Sequence, residues 1–524
     1  MKFFNTLFQH ANFLIVLGIG MALSSCQDHR LEPDVQTLPD RIFYALSDDN
    51  KLHEMNIKNT SMPERSFLVS GLEPGDQLAG IDFRPATGQL YAISMQGNLY
   101  HINVRMGDQQ GKATRIGTAP IASSLNGAEI GFDFNPTVDR IRVVTSSGQN
   151  MRLHPETGAI VPGDNPLNGP VNPMVGAVAY TNSRAGASTT ALYDIDASTD
   201  MLYMQNPPNP GALISIGMLG LDIEAVGGFD ISPDEDPSDI YPIVSVKVGG
   251  QWELDLVDLA TGRLQKLGNL PSGVNVIGLA IPALPVGYAL NMANGLTIFN
   301  PITGQVFANK VVSGLPAAVF LEGIDLRPVD GKLHALGSDS KIYGIDLASA
   351  AATVISSLQL ADGSPVMIMG SNFGVDFNPV ADRLRVVSNT GQNLRINVHT
   401  GVTILDGDLK IGVGGVTPFV TACAYTNSYP GVSSTMLYDI DSKMDMLFKQ
   451  NPPNDGILVE GKPLGIDAVS EIGFDIGNGA GAAYGIITAG GSSHMYQLDL
   501  STGTATPKYT FAAPAKGLAL GFGL

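Results

Sequence analysis

The chain is poor in the residues that usually announce a chemistry. It has two cysteines, Cys26 and Cys423, so no disulfide framework is available to it. A single tryptophan, Trp252, leaves little for the stacked platforms on which sugars are commonly held. Lys plus Arg number 30 against 49 Asp plus Glu, and without a basic stripe nucleic acid is excluded as a natural partner. The sequence contains no GxSxG elbow, no HExxH pair and no EF-hand loop. Long amphipathic helical runs are also missing.

What is present points to strands. Hydrophobic residues make up 44% of the 524 positions, enough for more than one core, while 61 glycines and 33 prolines supply many turns. The acidic balance of −19 favours solubility.

The N-terminus reads as an address. Residues 1–25 form a signal peptide: Lys2 gives a positive start, and the apolar run Phe13 to Leu23 is too short to span a bilayer comfortably. It ends in Leu23-Ser24-Ser25-Cys26, which resembles the bacterial lipobox and makes Cys26 the expected lipidation site, with the bilayer as partner. Residues 26–40 are polar with two prolines and read as a lipidated tether. The expected location is export to the cell envelope, lipid-anchored at the outer membrane on its periplasmic or surface face; Asp28 and Glu32 resemble surface-export signals of Bacteroidota lipoproteins.

Behind the tether one unit occurs twice. GFDFNPTVDRIRVVTSSGQNMR at 131–152 returns as GVDFNPVADRLRVVSNTGQNLR at 374–395. AYTNS (179–183), LYDID (192–196), QNPPN (205–209) and GFD (228–230) return at 424, 437, 450 and 473. The near-constant offset marks an internal duplication, with unit 1 at 41–282 and unit 2 at 286–524.

Within each unit a shorter step recurs. Alternating apolar strands open at Gly80, Gly131, Gly176, Gly228 and Gly278, and again at Gly323, Gly374, Thr421, Gly473 and Gly517. Four strands fit in each step, the pattern of a β-propeller blade. Ten blades result, and the first lacks its opening strand. If 278–281 pairs with 42–46, the fold is two tandem five-bladed rings; if 517–520 does so, it is one ten-bladed ring. The segment Pro282 to Pro285 favours two rings.

The hairpin from Gly131 predicts a cross-strand row. With Asn135 opposite Arg140, Asp133 falls opposite Arg142, and Arg152 beside it. Unit 2 repeats the row as Asp376, Arg385 and Arg395. Two guanidiniums face one carboxylate, so an anion should complete each row. Either a carboxylate from the next blade does so, with Asp194, Asp196, Asp439 and Asp441 as candidates, or a bound carboxylate, phosphate or acidic sugar. Gln149, Asn150, Gln392 and Asn393 point to the surface or cap turns, and the NPPN segments read as rigid loops. Cys423 takes the place of Val178 and reads as a small buried hydrophobe. The histidines are not repeated: His154 matches Asn397 and His334 matches Tyr91, which argues against a shared histidine catalytic or zinc site.

In combination, DFNP, DRxRVV, GQNxR, AYTNS, LYDID and QNPPN resemble a bacterial family known as domain of unknown function 4394, over both units. The resemblance implies the unit and no substrate. The expected function is a lipid-tethered binding or scaffolding propeller for a glycan, small anion or envelope protein. No catalytic residue, metal or cofactor is required, though Asp and Asn oxygens leave calcium open. The alternative is a propeller hydrolase or lyase acting on polysaccharide or a lactone through carboxylates.

Overall fold

The computed structural model describes residues 28–31, 38–121, 124–169, 172–233, 239–479 and 481–524. Met1 to Ser25 and Cys26 lie outside the described residues.

The described chain is almost entirely β, with ten blade-like sheets, nine of four antiparallel strands and one of five, in which the short edge strand Lys410–Ile411 runs parallel to Ile457–Pro463. One sheet shows the pattern: Leu78–Phe83, Leu90–Ser94, Leu99–Ile102 and Ala113–Ile116 follow one another as a meander. Each first strand is buried on both faces, which is why it reads as an apolar run with glycine rather than as an alternation.

Two sheets are completed from a distance. Ile42–Ser47 pairs with Val276–Ala280, with Ala45 opposite Leu279. Gly287–Asn291 pairs with Ala515–Leu520, with Ala289 opposite Leu518. The strand that completes the first sheet therefore comes from 276–280 and not from the C-terminal end. Each pairing covers a sheet edge that would otherwise be exposed.

The first strands of successive sheets pack face to face. In unit 1, Leu78–Phe83, Ile130–Asn135, Val175–Tyr180, Ala225–Ile231 and Val276–Ala280 contact one another in that order, and the last also contacts the first. In unit 2 the same holds for Leu321–Arg327, Phe373–Asn378, Val420–Tyr425, Ala468–Ile476 and Ala515–Leu520. The approach is close enough to exclude side chains. A Cβ on Gly374 would lie 2.4 Å from the backbone nitrogen of Cys423, and one on Gly228 would lie 2.4 Å from that of Leu279. Glycine opens these strands because backbone meets backbone there.

The two units also touch each other. Tyr288 donates its hydroxyl to the carbonyl of Ala86 at 2.7 Å, and His101 Nε2 lies 3.1 Å from the carbonyl oxygen of Val329. The buried Arg84 pairs with Asp139 and with Glu156 at 3.4 Å, and Lys332 of unit 2 reaches Glu156 at 3.7 Å.

Part of the expected tether is docked. The amide of His29 donates to Gly220 at 2.8 Å and that of Leu31 to Leu264 at 2.8 Å. Arg30 bonds Asp28, Glu253 and Asp255. The 28–31 stretch is thus bound to unit 1 rather than a free spacer, because one arginine there meets the acidic pair on Gln251–Val257.

Candidate functional site

The hairpin Ile130–Asn135 and Arg140–Thr145 places Asp133 opposite Arg142, and Asn150–Leu153 places Arg152 opposite Arg142. Unit 2 has Asp376 opposite Arg385 and Arg395 opposite Arg385. Sharing a register does not make these residues one salt bridge. In each unit they divide between two separate constructions.

The first is an arginine knot. In unit 2, fully buried Arg385 donates to Asp406 at 2.6 Å, Asn393 at 2.7 Å, Asn454 at 3.0 Å and the Tyr425 hydroxyl at 3.1 Å. Arg395 grips the same Asp406 through Nε at 2.7 Å and Nη2 at 2.8 Å. Unit 1 repeats the knot more loosely: Arg142 donates to Asn150 and Asn209, both at 2.8 Å, and its Nη1 lies 3.5 Å from Asp164. Arg152 forks onto Asp164 at 3.0 and 3.1 Å.

Asp164 and Asp406 were not singled out by sequence. They follow the hairpin on the chain in stretches that differ between the units, VPGDNP against TILDGD, so the repeat comparison hides them. The four named aspartates are engaged elsewhere or unpaired. Asp196 and Asp441 accept the amides of Met174 and Phe419, each at 2.8 Å. Asp194 and Asp439 are fully buried with no hydrogen-bond partner on either oxygen. Burial pushes the Asp194 carboxyl well up despite Arg142, and that of Asp439 up to about 8 despite Arg385, disfavouring the charged form of both.

The knot also holds the NPPN loops. Asn150 donates to Pro208 O at 3.1 Å and Asn393 to Pro453 O at 3.1 Å, while Gln205 and Gln450 bond the same two carbonyls. The peptide bonds Asn206-Pro207 and Asn451-Pro452 are cis. Gln149 and Gln392 face the other way. They accept the amides of Asn126 at 2.7 Å and Met369 at 2.8 Å, fastening the loops that precede their hairpins. The arginine knot and the Gln205 and Gln450 amides thus hold the NPPN loop in place in each unit.

The second construction is an aspartate triad at the middle of each unit. Oxygens of Asp82, Asp133 and Asp230 lie within 4.8 Å of one another, as do those of Asp325, Asp376 and Asp475. Each aspartate sits on a first strand and accepts an amide from the next sheet. Asp82 takes Phe134 N at 2.7 Å, Asp133 takes Tyr180 N at 3.1 Å and Asp230 takes Ile281 N at 2.6 Å. Asp325, Asp376 and Asp475 do the same with Phe377, Tyr425 and Leu520. Asp133 is therefore an inter-sheet staple and not the counterion of Arg142. Burial raises all six carboxyls, and repulsion between neighbours adds to it for Asp82, Asp133, Asp325 and Asp376. Asp230 and Asp475 are pushed up to about 7. Among the described residues these triads are the places where three carboxylates come close enough to share a cation. Three oxygens are fewer than the six to eight that calcium takes, so a triad alone does not make a calcium site.

Cys423 is buried beside this region, where burial raises its thiol well above the ordinary value. It packs with Val387, Val420, Tyr425 and Phe448.

The family model described as domain of unknown function 4394 matches residues 51–280 and, again, 295–519. No curated protein matches the chain.

Proposed function

Because this chain belongs to that family and carries its unit twice, we propose that it is a cell-envelope lipoprotein built as a binding scaffold. Two five-bladed propellers, 41–282 and 286–524, present rigid loops to a glycan, small anion or envelope protein. Closure of two rings is supported by the pairing of Ala45 with Leu279 and of Ala289 with Leu518, together with the cyclic packing of the first strands. The observation that carries the scaffold reading is the arginine knot. In both units its buried charges are spent on an internal aspartate and on the NPPN loop, so the repeated polar residues build a fixed surface.

The anchor reading starts from Cys26 at the end of the apolar run. Docking of 28–31 on unit 1 implies that the lipid lies close to the sheet containing Gln251–Val257. Metabolic labelling with an alkyne fatty acid tests the anchor. The wild-type chain should take up label and sediment with membranes, and Cys26→Ser should do neither; label on Cys26→Ser refutes it. A thermal-shift screen of the same chain against envelope glycans and small anions tests the binding role, since a specific ligand raises stability by mass action.

A further inference from the structure

The duplication supplies an internal control for the end of each unit at which the first strands begin. There Gln392 accepts the amide of Met369 at 2.8 Å and donates to the carbonyl oxygen of Met367 at 3.0 Å. Gln149 does the same with Asn126 at 2.7 Å and Ser124 at 3.3 Å. Two polar residues of unit 1 are thus two methionines in unit 2, on loops fastened in the same way.

The exchange continues around that end. The amide of Leu321 donates to Asn294 and that of Leu78 to Asn50, both at 2.9 Å, which matches Phe320 with Gln77. The amide of Ala468 donates to Asp445 at 2.8 Å and that of Ile223 to Asp200 at 2.9 Å, which matches Val469 with Glu224. Asn291 lies opposite Ala515 as Ser47 lies opposite Val276, which matches Met292 with Asp48. All five apolar side chains are between 45% and 62% exposed. Unit 1 folds with polar residues at these sites, so packing does not call for Met, Phe or Val there. Large exposed apolar residues that the fold does not need mark a contact surface, and the flexible methionine side chain suits one.

Inside this apolar rim is a small pocket lined from all five first strands, by Glu322, Phe373, Thr421, Glu471 and Lys516. Lys516 pairs with Glu322 at 3.4 Å and lies 5.8 Å from the centre of the Phe320 ring. Glu471 is half-buried, and its carboxylate pairs with no cation among the described residues. One negative charge is therefore left over among the groups lining the pocket. The complementary surface carries one cation among apolar residues. A second copy of this chain, at a net charge of −19, and an anionic lipid surface are both opposed by charge.

We propose that the first-strand end of unit 2 docks a protein segment carrying a lysine or arginine between apolar residues. The cation sits on Glu471, and the apolar residues sit on Met292, Phe320, Met367 and Met369. This rests on the binding role proposed above and names a partner class for it, but it uses the end of unit 2 opposite the NPPN loop and not the lipid anchor.

Panning a random twelve-residue phage library on the full chain carrying Cys26→Ser tests it. Enriched peptides should hold Lys or Arg between apolar residues. In isothermal titration, a synthetic copy of the most enriched peptide should bind once per chain. Binding should weaken about tenfold when glutamine replaces the peptide's cation, and equally in Glu471→Gln. The fourfold variant Met292→Asp, Phe320→Gln, Met367→Ser and Met369→Asn, which gives unit 2 the residues of unit 1, should abolish binding with an unchanged thermal melt. Glu471→Gln reads the site independently should that variant not fold. Failure to enrich any peptide, enrichment of uncharged or acidic peptides, or unchanged binding in the fourfold variant would each overturn the proposal. So would a wild-type dimer in sedimentation velocity, or flotation with phosphatidylglycerol vesicles, that the fourfold variant loses. Glycan or anion binding that survives in the fourfold variant belongs to the NPPN loops, which separates failure of this proposal from failure of the binding role.

Discussion

Arg385 and Asp406 form the tightest charged contact in the arginine knots, at 2.6 Å, whereas their counterparts Arg142 and Asp164 stand 3.5 Å apart. Both arginines are buried, and each aspartate side chain is only 4% exposed, so removing one partner strands a charge out of water. Asp406→Asn should therefore destabilise the protein by about 3 kcal/mol in urea unfolding. Asp164→Asn should cost less, because Arg142 stands 3.5 Å from Asp164, whereas Arg385 bonds Asp406 at 2.6 Å. Equal losses would show that the knots are interchangeable.

The aspartate triads predict a pH dependence of definite sign. Their folded carboxyls are raised above the ordinary value, by burial first, so the folded state binds more protons than the unfolded state at neutral pH. Their contribution is most favourable below about pH 4. It is lost progressively up to about pH 7, where Asp230 and Asp475 titrate in the fold. Melting temperature should fall between pH 5 and pH 8. In Asp230→Asn, which retains an acceptor oxygen for Ile281 N, that fall should shrink. A pH-independent difference between variant and wild type would refute the protonation account.

Gly374 predicts a steric limit. An added methyl would meet the Cys423 backbone nitrogen at 2.4 Å and Ala422 C at 2.7 Å, and neither can swing aside as a flexible side chain would. Gly374→Ala should cost about 2 kcal/mol in chemical denaturation. Gly363→Ala is the control for a glycine with open space around it, although its φ of 87° still disfavours alanine. The first loss should exceed the second.

Arg30 predicts a tether held down by charge. Its side chain joins Glu253 and Asp255, and burial pushes the Asp255 carboxyl up to about 7. Arg30→Ala should free the 28–31 stretch and speed proteolytic cleavage between residues 27 and 40, with little change in global melting temperature. Unchanged cleavage would mean that the backbone bonds of His29 and Leu31 suffice.

The sequence by itself determined the duplication, the all-β class, the strand boundaries around the repeated glycines and the Asp133–Arg142–Arg152 register. Each is written in local periodicity or in a comparison of one unit with the other. Tertiary structure decided the partners. Which strand completes the first sheet depended on the meeting of Ala45 and Leu279, far apart on the chain, and either end offered a suitable apolar segment. Asp133 leans to the next sheet and joins Asp82 and Asp230, because three first strands converge there; a register places a residue on a face but not against its neighbour. Asp164 and Asp406 reach the arginines from loops without shared sequence. Local pattern fixes how a strand lies in its sheet, while the counterion of a buried charge is set by whatever the packing brings within reach.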